Sequence, residues 1–467
     1  MKDFIFDLTL VFQVFVFLIS MYYLVLSLFG LKKHEDKKGE TFKPQKKFAL
    51  VVAAHNEEMV IGKIIESLRS LDYPKELYDI FIIADNCTDN TASIGRSYKD
   101  VKVCERNVPD KRGKGYALEW MFGKIFNMDT KYDAIAIFDA DNLVSKNFLR
   151  EMNYKLCEGY KVVQGYIDSK NPNDSWITGS YSIAFWTANR LFQLARANLG
   201  LSNQIGGTGF CMDTEILKKL GWGATCLTED LEFTCKLVLN GYKVGWCHNA
   251  RVYDEKPLTL KQSWSQRKRW MQGFADVCSR FFRKLFKKAI KDRDFTALDC
   301  ALYTIQPFVV LLLGVSALLT LIQTNLPHGA NIFVMNYLFS PWVWKSFSIV
   351  QFLFTPFVMV LEDKLSKNMF LTFALYSLNI VVFGFILGNN PKFYEVAICS
   401  VIYLVIFLVA LYIIDRKHSF KIFIWYLLYG IYTLTWIPIT IQGIIDKDNK
   451  EWSHTKHIRE ISIQDVE

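Results

Sequence analysis

Apolar residues follow three different patterns along this chain. Residues 4–29 are almost uninterrupted apolar sequence with Asp7 as their one charge, long enough as a helix to cross the roughly 30 Å hydrocarbon core of a bilayer. Between residues 48 and 249, short apolar or β-branched runs alternate with segments of helical period. "FALVVAAHNEE" leads into "MVIGKIIESLRSL", and "YDIFIIADNCTDNT" and "YDAIAIFDADNLV" repeat the passage from strand to polar turn. Such runs, spaced by helices, predict a largely parallel sheet covered on both faces. Long apolar runs then return at 300–324, 342–361, 369–388, 394–414 and 422–445, with short loops between them.

Charge gives these segments a direction. The lysine-rich stretches "LKKHEDKKGETFKPQKK" and "SRFFRKLFKKAIKDR" bracket the central region, so the positive-inside rule predicts that it faces the cytoplasm. Charges follow the first apolar run and do not precede it, which favours a retained anchor over a cleaved signal peptide. Residues 325–341 carry no Lys or Arg and fit the outside, whereas "DRKHSFK" at 415–421 fits the inside. Six full crossings would put the tail "DKDNKEWSHTKHIRE" outside, although its character is cytoplasmic. The last run, broken by Gly430, Pro438 and Gly443, is therefore expected to be bent or re-entrant, and residues 331–339 to lie at the interface. In "GFADVCSRFFRKLFKKAIKDR", Phe281, Phe282, Leu285, Phe286 and Ala289 share one helical face, as in an interfacial amphipathic helix.

The predicted units are a membrane helix at 1–31, a basic linker at 32–47, a cytoplasmic α/β domain at 48–272, an interfacial helix at 273–295, a membrane bundle at 296–446 and a tail at 447–467. The net charge of +9 is concentrated beside apolar runs, so membrane lipid headgroups account for it and nucleic acid is not implicated. The ten cysteines include no CxxC pair and have no zinc-like spacing to His, which leaves them as reduced packing residues.

Acidic or amide residues stand where each central strand ends, the edge at which open α/β sheets bind ligands. Asp139 and Asp141, two apart beyond a buried strand, offer hard oxygen ligands for Mg²⁺ or Mn²⁺ held with phosphates; N-capping of the next helix explains one of them but not comfortably both. Lys111, Arg112 and Lys114 supply phosphate-neutralising charge beside a glycine turn, or simply a solvated loop. In "LTEDLEF", Thr228 is placed to cap a helix whose first turn holds Glu229 and Asp230. Asp230 is alternatively a general base for a hydroxyl. Gly206, Gly207 and Gly209 leave backbone bare enough to approach a sugar ring, or form a tight turn.

With "AAHNEE", "ADNCTDNT", "DADN", "GGTGF", "LTEDLEF" and "QRKRW" in this order, the chain resembles the family 2 glycosyltransferases. Within them it is similar to the membrane-embedded processive branch of cellulose, chitin, hyaluronan and poly-N-acetylglucosamine synthases. The resemblance implies an α/β fold of GT-A type, a mixed and mostly parallel sheet, between an N-terminal membrane helix and a C-terminal membrane bundle. It implies Asp85 at the nucleotide base beside the turn of Ala54, Asn56 and Glu57, with Lys114 also at the donor. Asp139 and Asp141 would meet the diphosphate and a Mg²⁺ or Mn²⁺ ion, and Asp230 would be the base. Gln266 and Arg269 would hold the pyrophosphate, while Glu229, Gly207 and Trp270 would face the acceptor. Arg267 and Lys268, at the variable positions of QxxRW, are expected to be membrane-side or solvated charge. The tail "WSHTKH", residues 452–457, is similar to tail segments that enter the site in some relatives.

The implied reaction is inverting transfer from a nucleotide sugar, UDP-glucose or UDP-N-acetylglucosamine, to a growing β-linked polysaccharide exported through the membrane helices, with accessory export subunits compatible. The alternative is single transfer to a polyprenyl phosphate or glycolipid. A transporter with a cytoplasmic regulatory domain is disfavoured because the apolar runs carry few ionisable residues.

Overall fold

The computed structural model describes residues 2–32, 42–223, 226–325, 340–387, 392–414, 419–449 and 457–466. Helix α1 (Lys2–Leu28) precedes an eight-stranded sheet of β1 (Phe48–Ala54), β2 (Tyr78–Asp85), β3 (Val101–Arg106), β4 (Ala134–Asp139), β5 (Leu143–Val144), β6 (Val162–Ser169), β7 (Phe210–Asp213) and β8 (Val244–Asp254). The strand order is β3-β2-β1-β4-β7-β6-β8-β5. Strands β1 to β4 run parallel, β7 runs against both β4 and β6, and β6 and β8 run parallel to each other. As a consequence β1, β2, β4, β6 and β8 all end at one edge, and β7 begins there.

Both faces of the sheet are buried, as its unbroken apolar strands require. Phe48, Leu50 and Val52 pack with Ile61, Ile64, Ile65 and Leu68 of α2 (Ile61–Arg69). Ala49 and Val51 turn to the other face, against Ala117, Leu118 and Met121 of α3 (Lys114–Phe126). Next in the chain come α4 (Phe148–Cys157), α5 (Trp176–Ala188) and α6 (Glu229–Leu239). Helix α6 is gripped from two sides: Phe233 and Leu237 meet the sheet layer, while Leu231, Cys235 and Val238 meet α7 (Leu260–Asp292). A reciprocal capping box of Thr259 and Gln262 starts α7, and Arg293 ends it in a left-handed conformation.

Helix α7 changes one expectation. It continues from the QRKRW motif without a break, and the apolar face read as interfacial is packed against protein: Phe281, Leu285 and Ala289 join Leu231, Cys235 and Val238 with Ala297, Cys300 and Ala301 of α8 (Phe295–Thr304). A stripe of this period fits a helical neighbour as well as a bilayer; only Phe286 and Ile290 remain exposed among the cations.

The run at 300–324 is also not one rod. Helix α8 meets α9 (Gln306–Asn325) at 63°. Pro307 explains the break, because its ring and missing N–H exclude a hydrogen bond to the carbonyl four residues back. Then follow α10 (Pro341–Leu361), α11 (Lys367–Ser377) and α12 (Asn379–Ile386), which divide the predicted 369–388 segment at Leu378, and α13 (Phe393–Ile414), α14 (Ser419–Leu434) and α15 (Trp436–Ile445). Among the described residues, three helices are long and apolar enough to cross a membrane: Leu10–Leu31, Tyr394–Ile413 and Lys421–Ile445. Residues 326–339, 415–418 and 450–456, which carry the expected outer loop with its interfacial segment, part of the inner loop and most of the "WSHTKH" segment, lie outside the described residues.

Buried ion pairs tie the apolar helices to the domain. Arg196 is bidentate to Asp299 of α8, with Nε and Nη2 at 2.8 Å, and the Tyr22 hydroxyl of α1 donates to the same carboxylate. Arg190 meets Glu362 at 2.7 Å, and Lys364 meets Asp168 of β6 at 2.6 Å, so the loop between α10 and α11 is fixed against the domain.

Candidate active site

The shared strand edge opens into a cavity of about 290 Å³. From β1 and its turn come Ala54, His55 and Glu57; from β2, Asp85; and from the end of β4, Asp139 and Asp141. The loop entering β7 adds Gly207, the start of α3 adds Lys114, and the start of α6 adds Glu229 and Asp230. Gln266, Arg269 and Trp270 close it from α7.

Asn56, Lys111 and Gly209 do not line this cavity. For Asn56 the backbone gives the reason. Its positive φ of 54° and a hydrogen bond from the Thr88 N–H to its Oδ1 (2.8 Å) make it a brace between the β1 and β2 turns. Arg106 occupies one oxygen of Asp85 and also reaches the Lys111 carbonyl. Lys111 thus contributes backbone here, while Arg112 and Lys114 line the cavity.

Asp139 pairs with Lys114, whose ammonium also donates to the Gly207 carbonyl at 2.8 Å. Burial works against charge on Lys114, but Asp139, Glu229 and Asp230 hold its pKa above the ordinary lysine value. Asp141 is only 3% exposed. Its Oδ2 accepts the Glu255 N–H at 3.0 Å, and burial, with Asp254 beside it, raises its pKa well above the carboxylate range. Asp139 and Asp141 are two hard-oxygen donors in a pocket crowded with negative charge. Among the described residues no three His, Cys, Asp or Glu side chains form a cage. That donor set fits Mg²⁺ or Mn²⁺, which binds through one or two carboxylates and completes its shell with substrate phosphates and water.

Asp230 stands in the first turn of α6 with Gly207 in front of it; a Cβ on Gly207 would lie 3.4 Å from Asp230 Oδ2. The Leu231 N–H donates to Asp230 Oδ1 at 2.8 Å. Burial, followed by the charge of Glu229, pushes the Asp230 pKa up to about 7. Thr228 does not cap this helix through its side chain. It is instead pressed against Gly273 of α7, where a Cβ would lie 2.4 Å from Thr228 Cγ2 and Oγ1.

The QRKRW stretch divides differently from expectation. Gln266 Oε1 accepts the Tyr181 hydroxyl at 2.9 Å, which leaves its amide N–H groups for the cavity. Trp270 lies against Tyr181 and Phe185 of α5 and stacks on Trp436 of α15. Lys268 is partly exposed and paired with Asp446. Arg267 is fully buried within protein, which corrects the expectation of a membrane-side or solvated charge: rings of Tyr181, Tyr432 and Trp436 surround it.

Comparison with known proteins fits this geometry. Residues 44–273 match the family described as "Glycosyltransferase like family 2". The β-monoglucosyldiacylglycerol synthase of Synechocystis is 32% identical over 49% of this chain and 48% of its own length. The poly-β-1,6-N-acetyl-D-glucosamine synthase of Staphylococcus epidermidis is 27% identical over 55% of this chain and 59% of its own length. The matched part thus spans roughly half the length of these relatives. Residues 44–273 form a family 2 glycosyltransferase domain. Its GT-A fold is shared with a solved mannosyltransferase from Pyrobaculum calidifontis in complex with GDP-Man and Mn²⁺, at a TM-score of 0.52 and 16% identity, covering 82% of this chain and 99% of that one.

The glycosyltransferase domain contains a fourth acidic strand end that sequence reasoning passed over. "RVYDEKP" delivers Asp254 and Glu255 to the cavity from β8, the same signal read at the three earlier strand ends. Glu255 pairs with Lys170 at 2.9 Å and accepts the N–H groups of Ile458 and Arg459 at 3.0 and 3.2 Å. The returning tail is thereby held, and His457 reaches the cavity with Nδ1 2.9 Å from Glu57. Burial opposes its charge, yet Asp141, Glu57 and Glu255 push its pKa up to about 10, so it is an imidazolium at neutral pH. Glu255→Gln keeps the shape but removes charge-assisted bonds of about 1.5–3 kcal/mol. It should speed hydrogen exchange at Ile458 and Arg459 about tenfold or more, as read by mass spectrometry of the full chain.

Proposed function

We propose that this chain is an inverting glycosyltransferase that takes a sugar from a nucleoside diphosphate donor, UDP-glucose or UDP-N-acetylglucosamine, and delivers it to an acceptor at the cytoplasmic face of a membrane. One observation carries this reading: Asp139, Asp141 and Asp230 share a cavity with Lys114, Arg269 and Trp270, which unites diphosphate chemistry with a base and an aromatic sugar platform.

The donor base sits by Asp85 and the Ala54–Glu57 turn, and its diphosphate lies across Asp139, Asp141, Gln266 and Arg269. A Mg²⁺ or Mn²⁺ ion at Asp139 and Asp141 would neutralise charge developing on the leaving diphosphate. Arg269 presents a planar fork to the same oxygens, and Lys114 and His457 add positive charge nearby. Glu229, Gly207 and Trp270 face the acceptor. Asp230 takes the proton of its hydroxyl as that oxygen bonds to the anomeric carbon and the carbon–phosphate oxygen bond breaks. One displacement inverts the anomer, so an α-linked donor gives a β-linked product.

The acceptor is a growing β-linked chain in the leading reading, supported by the stacked Trp270 and Trp436. The similarity to glucolipid synthases favours single transfer to a lipid as the second. Radiolabelled donor supplied to the reconstituted chain separates them: aqueous polymer of increasing length supports the first, and label confined to the organic-extractable lipid overturns it.

Packing also bears on topology. Helices α14 and α15 touch the domain along their whole length, from Lys421 on the Asn173 carbonyl (3.0 Å), through Thr435 on Arg267 (2.9 Å), to Gln442 on Trp264 (2.8 Å). A segment crossing about 30 Å of hydrocarbon would carry one end away from the domain. The 421–445 stretch therefore lies along the domain at the interface, despite being apolar enough to cross. If the bent or shorter apolar segments α9, α10 and α11 with α12 cross together with α13, the crossings number four, an even count that agrees with the docked tail and with the domain-side loop at Glu362 and Lys364. In a chain whose ten native cysteines are replaced by serine or alanine, a cysteine introduced at Ser462 should stay protected from a membrane-impermeant maleimide in intact cells and label after permeabilisation; labelling in intact cells would refute the arrangement.

Asp230→Asn should lower kcat by about 10²–10⁴-fold while the donor still binds in calorimetry. In the wild type, kcat/KM should rise with pH through about 7, because the base works as the carboxylate and its raised pKa keeps it protonated below that point. Glu229→Gln removes the neighbouring charge and should move this limb to lower pH.

A further inference from the structure

We propose that Trp436 is a second acceptor-contacting residue and that Arg267 is the positioning residue that fixes it beside Trp270. The proposal rests on the reading of Trp270 as the acceptor platform and goes beyond it, because Trp436 belongs to a helix outside the glycosyltransferase domain.

The local chemistry begins with the break between α14 and α15. Pro438 cannot donate to the carbonyl of residue 434, so α14 ends at Leu434 and α15 restarts at Trp436, leaving a notch at Thr435. Arg267 fills this notch. Its Nη1 donates to Thr435 Oγ1 at 2.9 Å and leans on the Tyr432 carbonyl at 3.5 Å, while Nε points to the Ser263 carbonyl at 3.4 Å. Its guanidinium carbon lies 4.2 Å from the Tyr432 ring centre and 5.0 Å from that of Trp436. The side chain is fully buried, and these contacts, with the Tyr181 ring, offset the cost of its desolvation.

The result is an aromatic surface shared by two units. Trp270 and Trp436 lie nearly parallel, 21° apart, with ring centres separated by 6.4 Å. At that separation the two rings are neighbours in one aromatic cluster with Tyr181 and Phe185. Both indoles keep solvent-accessible area. Trp270 lines the cavity, and Trp436 extends its platform toward the apolar helices. Paired indole faces suit the C–H face of a pyranose, which makes a glycosyl unit of the acceptor the ligand class.

The full chain in phospholipid nanodiscs, given UDP-glucose or UDP-N-acetylglucosamine with β-glucosyl dioleoylglycerol or cellopentaose, supplies the test on whichever pair the wild type turns over. Trp436→Ala should raise the acceptor KM about tenfold while the donor KM moves less than twofold, and Trp436→Phe should recover most of the loss. Arg267→Met, which keeps the volume but not the hydrogen bonds, should reproduce the same split with a thermal midpoint near that of the wild type. Arg267→Lys, lacking the fork, should fall between. An acceptor KM within twofold of wild type in both Trp436→Ala and Arg267→Met overturns the proposal, as does a parallel rise of both KM values. Trp270→Ala distinguishes the levels: if it raises the acceptor KM and Trp436→Ala does not, only this proposal fails, whereas no change in either removes the acceptor platform itself.

Discussion

Charge balance in a shielded pocket governs how this molecule is assembled. Glu57, Asp139, Asp141, Glu229, Asp230, Asp254 and Glu255 converge on one cavity, where isolated carboxylates would be costly to keep ionised. The chain answers with cations from separate stretches: Lys114 for Asp139, Lys170 for Glu255, Lys256 for Asp254 and His457 for Glu57. The balance is incomplete. Asp141 and Asp230 are left with raised pKa values, the state expected where a cationic or proton-bearing substrate group completes the site.

The same requirement reaches beyond the glycosyltransferase domain. His457 follows the last apolar helix, yet Glu255 holds the tail at the cavity mouth, so the end of the apolar helical region is tied back to the cavity of the domain. Arg190 and Arg196 repeat the principle on the side facing the apolar helices, each paired with a carboxylate from outside the domain. Removing one member of such a pair strands a buried charge, which makes the relative placement of domain and helices hard to change piecemeal.

Much of this was legible in order and spacing. The sheet was readable because strands buried on both faces appear as unbroken apolar runs, and "FALVVAA", "YDIFIIAD" and "AIAIFD" became β1, β2 and β4. Asp139, Asp141 and Asp230 could be named because each sits at the end or start of an element. Asp254 and Glu255 carried the same signature and were passed over. Asn56 was placed at the donor with the rest of the Ala54–Glu57 turn through the family resemblance, but a left-handed backbone turns it toward Thr88.

The sequence by itself determined the α/β class, the chemistry at the strand ends and which segments are apolar enough for a membrane, since each depends on local period, propensity and hydropathy. Tertiary structure alone decided what those apolar faces meet. Phe281 and Leu285 face α6 and α8 where a bilayer was expected, the stretch 421–445 lies along the domain, and Arg267 is buried among rings where a membrane-side or solvated charge was expected. Local pattern reports that a face avoids water or that a residue is charged, but the partner that satisfies it comes from residues far away in the chain.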